Sequence, residues 1–312
     1  MSAAAPTRNL AGMLTLAVGV FIFSTQDAII KSISGSYAVT EAIFIRSVVA
    51  LPILLALVQI EAGWRALASR KLGALVLRGL ILMTSYTTYY MAFPALPLAE
   101  AIALFFISPI FVTLLASPLL GERVSGRAWL AVAMGFAGVL IILRPGSALF
   151  EPAALLSLVS AATYAASMIF ARRLGVSETA TVMSFYQNAA YLAGASLLAL
   201  LFAGLGLKQL GHPSLDFLVR PWAVPALRDL LLMGACGVIA AIAMSLLTHA
   251  YRLAEASLVT VFEYTGMVWG PLWGFLFFAE VPRWTTLAGM ALIFTAGVYS
   301  IHGAARRGSP QT

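Results

Sequence analysis

The chain has 312 residues, of which 61% are hydrophobic and only 10% are Asp, Glu, Lys or Arg, and its formal charge is +7. A soluble domain carries about 25% charged residues, so an ordinary soluble fold is excluded and a polytopic α-helical membrane protein is expected, each span needing roughly 20 apolar residues. In that class the basic excess belongs to cytoplasmic loops and calls for no nucleic acid, and the lone Cys236 can form no internal disulfide.

Ten apolar segments are predicted in chain order, at about 10–31, 40–60, 72–93, 97–118, 127–143, 151–171, 180–203, 229–250, 256–279 and 284–302. The first is long for the apolar part of a signal peptide and is followed by many more, so it reads as a membrane span. It carries Asp27 and Lys31, four apart and therefore on one face, where they can pair. The second span brings Glu41 and Arg46. All four belong to the outer halves of adjacent spans, either as a gate network or as a tie between the two helices. Snorkelling also offers Lys31 and Glu41 an inexpensive route to the interface.

The third span contains Arg78, which could attract a carboxylate or equally snorkel, and then MTSYTTYYMAF at 83–93. Seven consecutive hydroxyl residues, Thr84 to Tyr90, cover every direction around a helix, so they cannot all line a pathway. Ser and Thr can bond back to the preceding turn, and Tyr89 and Tyr90 approach an interfacial aromatic belt. Tyr86, with Tyr90 one turn above it, is left as the best pathway candidate and Thr87 as a weaker one. Pro109 and Pro271 fall inside the fourth and ninth spans, where each removes a helix hydrogen bond and kinks its helix. Ala131, Gly135 and Gly138 in the fifth span suit close helix packing.

The sixth span sets Ser160, Thr163, Tyr164 and Ser167 on one face. The seventh offers Gln187, Asn188 and Tyr191, for which interhelical hydrogen bonding is the plain alternative to a pathway role. The Gly- and Pro-rich stretch 204–228 is expected along one membrane surface. Glu263, followed by Tyr264, stands about eight residues into the ninth span, about 12 Å from the inner edge at 1.5 Å per residue. A carboxyl at that depth is expensive, and it binds a substrate ammonium, carries a coupling proton, or partners a buried Arg or Tyr. Glu100, Glu122, Glu255 and Glu280 sit near span ends, where capping and loop pairing are expected. His212, His249 and His302 have no metal-ligand spacing, and neither a metal nor a cofactor is expected.

With the N-terminus inside, the inner segments hold eleven Lys or Arg and the outer segments five, which orients both termini to the cytoplasm. The halves also repeat. LAEA occurs at 98–101 and again at 253–256, and an AGV triplet closes each copy at 137–139 and 296–298. Five spans separate the copies, so the second enters the membrane from the opposite side, the inverted arrangement of many secondary transporters.

LAEAIALFFISPIFVTLLASPLLGERVSGRAWLAVAMGFAGVLIIL, LAEASLVTVFEYTGMVWGPLWGFLFFAEVPRWTTLAGMALIFTAGV and FSTQDAIIKSI with FIRS together resemble the drug/metabolite transporter superfamily of the EamA type. The resemblance covers about 10 to 302. It implies an all-α integral membrane fold of ten helices as two inverted five-helix repeats, 10–143 and 151–302, with short cytoplasmic tails at 1–9 and 303–312. It also implies a pathway formed mainly by spans 1–4 and 6–9, in a monomer or homodimer of the inner membrane. The expected function is secondary transport of a small amphipathic or zwitterionic metabolite. Family members export amino acids and their derivatives, opine-type metallophores included, and others take up riboflavin or S-adenosylmethionine. An intramembrane enzyme would need converging chemistry that no HExxH, P-loop or triad pattern supplies here.

Overall fold

The computed structural model describes residues 4–120, 126–174, 178–253 and 262–305. The secondary structure among them is helical: α1 Ala4–Ile33, α2 Val39–Glu61, α3 Leu72–Met91, α4 Leu98–Phe105, α5 Ser108–Leu120, α6 Gly126–Leu143, α7 Ala154–Leu174, α8 Ala180–Gly204, α9 Pro213–Val219, α10 Leu227–Leu253, α11 Gly266–Phe278 and α12 Trp284–Ala305, with a 3₁₀ turn at Trp64–Leu67. Six stretches are long and apolar enough to cross a bilayer: Leu10–Ile33, Val39–Glu61, Leu98–Leu115, Ala154–Ala171, Ala180–Gly204 and Leu227–Met244. Trp129–Leu143, Gly266–Phe278 and Trp284–Tyr299 are shorter apolar helices. The chain is a multi-pass membrane protein.

Two expected spans are interrupted. The segment 97–118 breaks into α4 and α5 because Pro109 has no N–H to continue the ladder. The chain tightens there into Ile107 N–H to Leu104 C=O (3.4 Å) and Ile110 N–H to Ile107 C=O (2.8 Å). In the ninth segment a turn at Tyr264–Thr265 precedes α11, closed by Thr265 N–H to Phe262 C=O and Met267 N–H to Tyr264 C=O, both 3.0 Å. Glu263 therefore stands beside a break and not within a continuous helix. Pro271, by contrast, lies inside α11, which runs through it. The surface stretch 204–228 contains one more short helix, α9, started by His212 and by Pro213 in its first turn.

Alternate connections gather at opposite ends. At one end, here called the Gly35 end, Arg220 Nη1 donates to the carbonyls of Ser34 (2.9 Å) and Tyr37 (3.0 Å), Tyr37 Oη donates to Asp229 (2.9 Å), and Arg144 meets Glu100 (3.6 Å). At the other, the Ser69 end, Ser69 Oγ donates to Glu178 (2.7 Å) and Tyr186 Oη donates to the Leu67 carbonyl. Glu100 also accepts from Thr286 Oγ1 at 3.0 Å, and Glu280 accepts from Leu98 N–H at 2.8 Å, the loop and cap pairing expected of them. Glu122 and Glu255 lie outside the described residues.

The helices pack most extensively as α1 on α10, α6 on α12, α3 on α7 and α2 on α8. Small residues set the closest approaches. A Cβ on Gly138 would stand 2.8 Å from the Gly289 carbonyl, which presses α6 onto α12, and one on Gly237 would stand 2.5 Å from the Arg46 carbonyl, which presses α10 onto α2. These contacts leave a cavity in the middle of the bundle, walled by every long helix except α6 and α12 among the described residues.

Candidate functional site

The cavity has a volume of about 310 Å³. Its wall includes Asp27, Arg46, Tyr86, Tyr90, Tyr164, Gln187, Asn188, Glu263 and Tyr264, so nine of the residues singled out from sequence converge on one space. Its lining reaches Leu54, Arg78, Met168 and Ser184, all in the helix halves nearest the Ser69 end. Toward the Gly35 end, Tyr90 is on the wall, and Met91, Phe93 and Leu96, which follow it in the chain, are buried and off the wall.

A fully buried amide organises the polar wall. Gln26, on α1, donates through Nε2 to Tyr86 Oη (2.9 Å) and Tyr90 Oη (2.7 Å), and its Oε1 accepts from Arg46 Nε (3.2 Å). Tyr90 Oη in turn donates to Asp27 Oδ1 (3.1 Å), and Tyr89 Oη donates to Asp27 Oδ2 (3.2 Å). The Arg46 guanidinium lies over the Tyr86 ring at 4.5 Å and near Tyr191 at 5.6 Å, a cation–π placement suited to a desolvated arginine.

The apolar part of the wall is aromatic. Tyr191, Tyr86, Tyr90, Tyr89, Phe105 and Tyr164 follow one another with ring centroids 4.4–5.3 Å apart. Phe105 continues to Phe106 (6.2 Å), and Phe106 to Tyr264 (5.6 Å). The collar thus joins the two helix breaks, and Ser108, Pro109 and Gly266, at the starts of α5 and α11, reach the cavity between them. Tyr264 occupies the space that a side chain on Gly297 would need, so the glycine of the second AGV triplet seats this ring.

Several expectations are corrected. Lys31 does not pair with Asp27; it meets Glu280 Oε1 at 2.5 Å and donates to the Leu96 carbonyl at 2.6 Å, while both Asp27 oxygens are taken by tyrosines. Glu41 accepts from Ala223 N–H at 3.3 Å, in the surface stretch after α9, away from the cavity. Asp27 and Arg46 form no ion pair with each other; Gln26 and Tyr90 stand between them. Thr87 is buried outside the cavity wall, its hydroxyl unpartnered. Tyr89 is no interfacial belt residue but part of the collar.

The other hydroxyls divide as helix geometry requires. Thr84 and Thr88 bond back to the Leu80 and Thr84 carbonyls, at 3.1 and 2.8 Å. Ser85 crosses to α7, donating to the Ser160 carbonyl at 2.9 Å. Thr163 and Ser167 bond back within α7, to Val159 and Tyr164, which leaves Ser160 and Tyr164 of that face on the cavity. Asn188 ties to the Ser47 carbonyl (3.0 Å) and Gln187 to Tyr191 Oη (3.1 Å), so each wall amide also serves a packing role. Sequence reasoning passed over Gln26, a lone amide one residue before Asp27, although buried amides in lipid spans need partners.

Comparison with known proteins places these features in a family. The model of the EamA-like transporter family matches residues 10–144 and 151–301. The chain is 30% identical to the pseudopaline exporter CntI of Pseudomonas aeruginosa over 91% of its own length and 94% of the relative's. It is 34% identical to a riboflavin transporter of Rhizobium johnstonii, over 68% and 65% of the two chains. It is 24% identical to an S-adenosylmethionine uptake transporter of Rickettsia bellii, over 92% and 94%. A solved crystal structure shares the fold with a TM-score of 0.64 at 19% identity, over 96% of this chain and 99% of the other.

Proposed function

The chain belongs to the EamA-like transporter family, is a membrane transporter and not an enzyme, and from that premise we propose that it is a secondary transporter exporting an amino acid or an amino-acid derivative of the opine type. The observation that carries this reading is the composition of the cavity wall. Carboxyls (Asp27, Glu263) and guanidiniums (Arg46, Arg78) share about 310 Å³ with an aromatic collar, a setting matched to a small zwitterion with an apolar part. The pseudopaline exporter, similar over nearly its whole length, agrees with it.

A second reading is uptake of an amphipathic cofactor such as riboflavin or S-adenosylmethionine. The run of tyrosine and phenylalanine rings, suited to stacking on a flat heterocycle, favours it, as do the relatives of that description.

In the proposed architecture ten spans form two inverted repeats, 10–143 and 151–302, in the inner membrane with both tails cytoplasmic. Support comes from the doubled family match, from the excess of Lys and Arg in alternate loops, and from the helix breaks at 106–107 and 264–265, one in each half. On this reading the cavity faces the cytoplasm and the Lys31–Glu280 contact is part of the closed outer gate. Glu263, beside the second break, is proposed as the coupling group. A strain lacking the protein is compared with an overproducer by untargeted metabolomics of cells and medium. Export predicts an amino-acid-like compound lost from the medium of the deletion strain; a riboflavin- or S-adenosylmethionine-like compound left outside the deletion strain would favour uptake. In proteoliposomes Glu263→Gln is expected to abolish flux driven by a pH gradient while sparing exchange, and unchanged driven flux would remove Glu263 from coupling.

A further inference from the structure

The hydrogens around Asp27 can be assigned in turn, because a guanidinium only donates and an amide has one accepting oxygen and one donating NH2. Arg46 Nε donates to Gln26, so the amide oxygen faces Arg46 and its NH2 faces the tyrosines, 2.9 Å from Tyr86 Oη and 2.7 Å from Tyr90 Oη. Tyr90 Oη accepts from Gln26 and turns its own hydrogen to Asp27 Oδ1, 3.1 Å away. Oδ1 then has no room for a proton on that side. Oδ2 is placed differently. It meets Tyr89 Oη at 3.2 Å, and that hydroxyl has no other hydrogen-bond partner among the described residues. A phenolic hydroxyl both donates and accepts, so Tyr89 can turn about its C–O bond and accept from a proton on Oδ2.

The surroundings leave Asp27 without a cation. It is 7% exposed, on the cavity wall beside half-buried Tyr89. Lys31, one turn further along α1, is taken by Glu280, and Arg46 of α2 is reached only through Gln26 and Tyr90. Of the helices packed on α1, α3 brings Tyr86, Tyr89 and Tyr90, and α10 brings the buried thiol of Cys236 within electrostatic reach. On α4, Glu100 is turned to Thr286 and Arg144, and α11 has no titratable residue. Glu263, ahead of α11, acts on Tyr164 and Tyr264. An unpaired carboxylate inside a membrane is costly, and taking up a proton removes the charge.

We propose that Asp27 is a proton-binding site of the cavity and that Tyr89 is the hydroxyl that reverses when the proton arrives. Hydronium gives its proton to Oδ2 and leaves water. Tyr89 keeps its own hydrogen and changes from donor to acceptor, while Tyr90 remains a donor. The Tyr89 hydrogen is then released to another acceptor, so proton uptake changes what the aromatic collar offers a substrate. This rests on the secondary-transport reading and adds a proton site on α1 to the one proposed at Glu263.

The test is infrared difference spectroscopy of the full-length chain in lipid nanodiscs, without substrate, with aspartate isotopically labelled at its side-chain carboxyl carbon. The chain has three aspartates, Asp27, Asp216 and Asp229, and the label separates them from every glutamate. Between about pH 9 and pH 5, where an ordinary surface carboxyl takes up no proton, a protonated-carboxyl band carrying the isotope shift should grow in the wild type. It should vanish in Asp27→Asn and move in Tyr89→Phe, where the acid proton loses its acceptor. A band without the isotope shift, no band at all, or a labelled band that survives Asp27→Asn overturns the proton site. A band unmoved by Tyr89→Phe overturns the reversal of Tyr89. The labelled wild-type spectrum needs no variant to fold. Because no substrate is present, failure of the transport reading shows separately, as the lack of any metabolite difference between the deletion strain and the overproducer.

Discussion

Gln26 and Arg46 are joined side chain to side chain across α1 and α2, Arg46 Nε donating to Gln26 Oε1 at 3.2 Å with both residues buried. The same amide spends both of its hydrogens on Tyr86 and Tyr90. Three groups from two helices, α2 and α3, thus depend on one neutral residue of α1, which orients the arginine without neutralising it.

Replacing Gln26 with Leu is therefore expected to destabilise the protein by about 1–3 kcal/mol, the cost of leaving buried polar partners unmet, and to lower transport at least about tenfold by freeing the Arg46 fork. Thermal unfolding in detergent and proteoliposome flux check the two halves. Wild-type values for both would remove Gln26 from its organising role.

The absence of a direct Asp27–Arg46 pair makes charge reversal informative. Asp27→Arg combined with Arg46→Asp should recover none of the transport lost in either single variant, because each charge is held by neutral partners that do not move with it. Recovery above half of wild type would show a direct pair in another state of the cycle.

Lys31 and Glu280 lie 2.5 Å apart, with side chains only 10% and 23% exposed. Removing one partner strands the other, so Lys31→Met or Glu280→Met alone should cost about 3 kcal/mol or more, whereas the double Met variant should cost clearly less than the sum. Thermal unfolding of the four proteins measures the coupling, and strict additivity would count against it.

Gly237 faces the Arg46 carbonyl at a distance that no Cβ can share. Gly237→Ala should push α10 from α2, cost about 1–3 kcal/mol and weaken substrate binding through the displaced Arg46. A variant with unchanged unfolding temperature and affinity would show that the contact yields freely.

Thr87 offers the opposite case, a buried hydroxyl without a partner and outside the cavity. Thr87→Val keeps the shape and removes the unmet group, so stability should be equal or higher and transport within about twofold of wild type. A tenfold loss of transport would return Thr87 to the pathway.

Composition and periodicity by themselves determined the class of this protein, because a bilayer demands long apolar helices whatever they pack against. They also made Pro109 legible as a helix defect, and Asp27, Arg46, Tyr86 and Glu263 as polar groups needing an interior, since lipid gives such groups no partner. What sequence left open was direction and distance. Seven hydroxyls in a row surround a helix, and only packing decided that Ser85, Tyr86, Tyr89 and Tyr90 meet the cavity while Thr87 does not. Asp27 and Lys31 share a face at spacing four. Yet Lys31 turned to Glu280, almost 250 residues away, because a compact carboxylate at 2.5 Å outweighs an aspartate already held by two tyrosines. Helical spacing encodes neighbours within one helix; which helix stands opposite is decided by the close glycine contacts and the breaks that bring the bundle together.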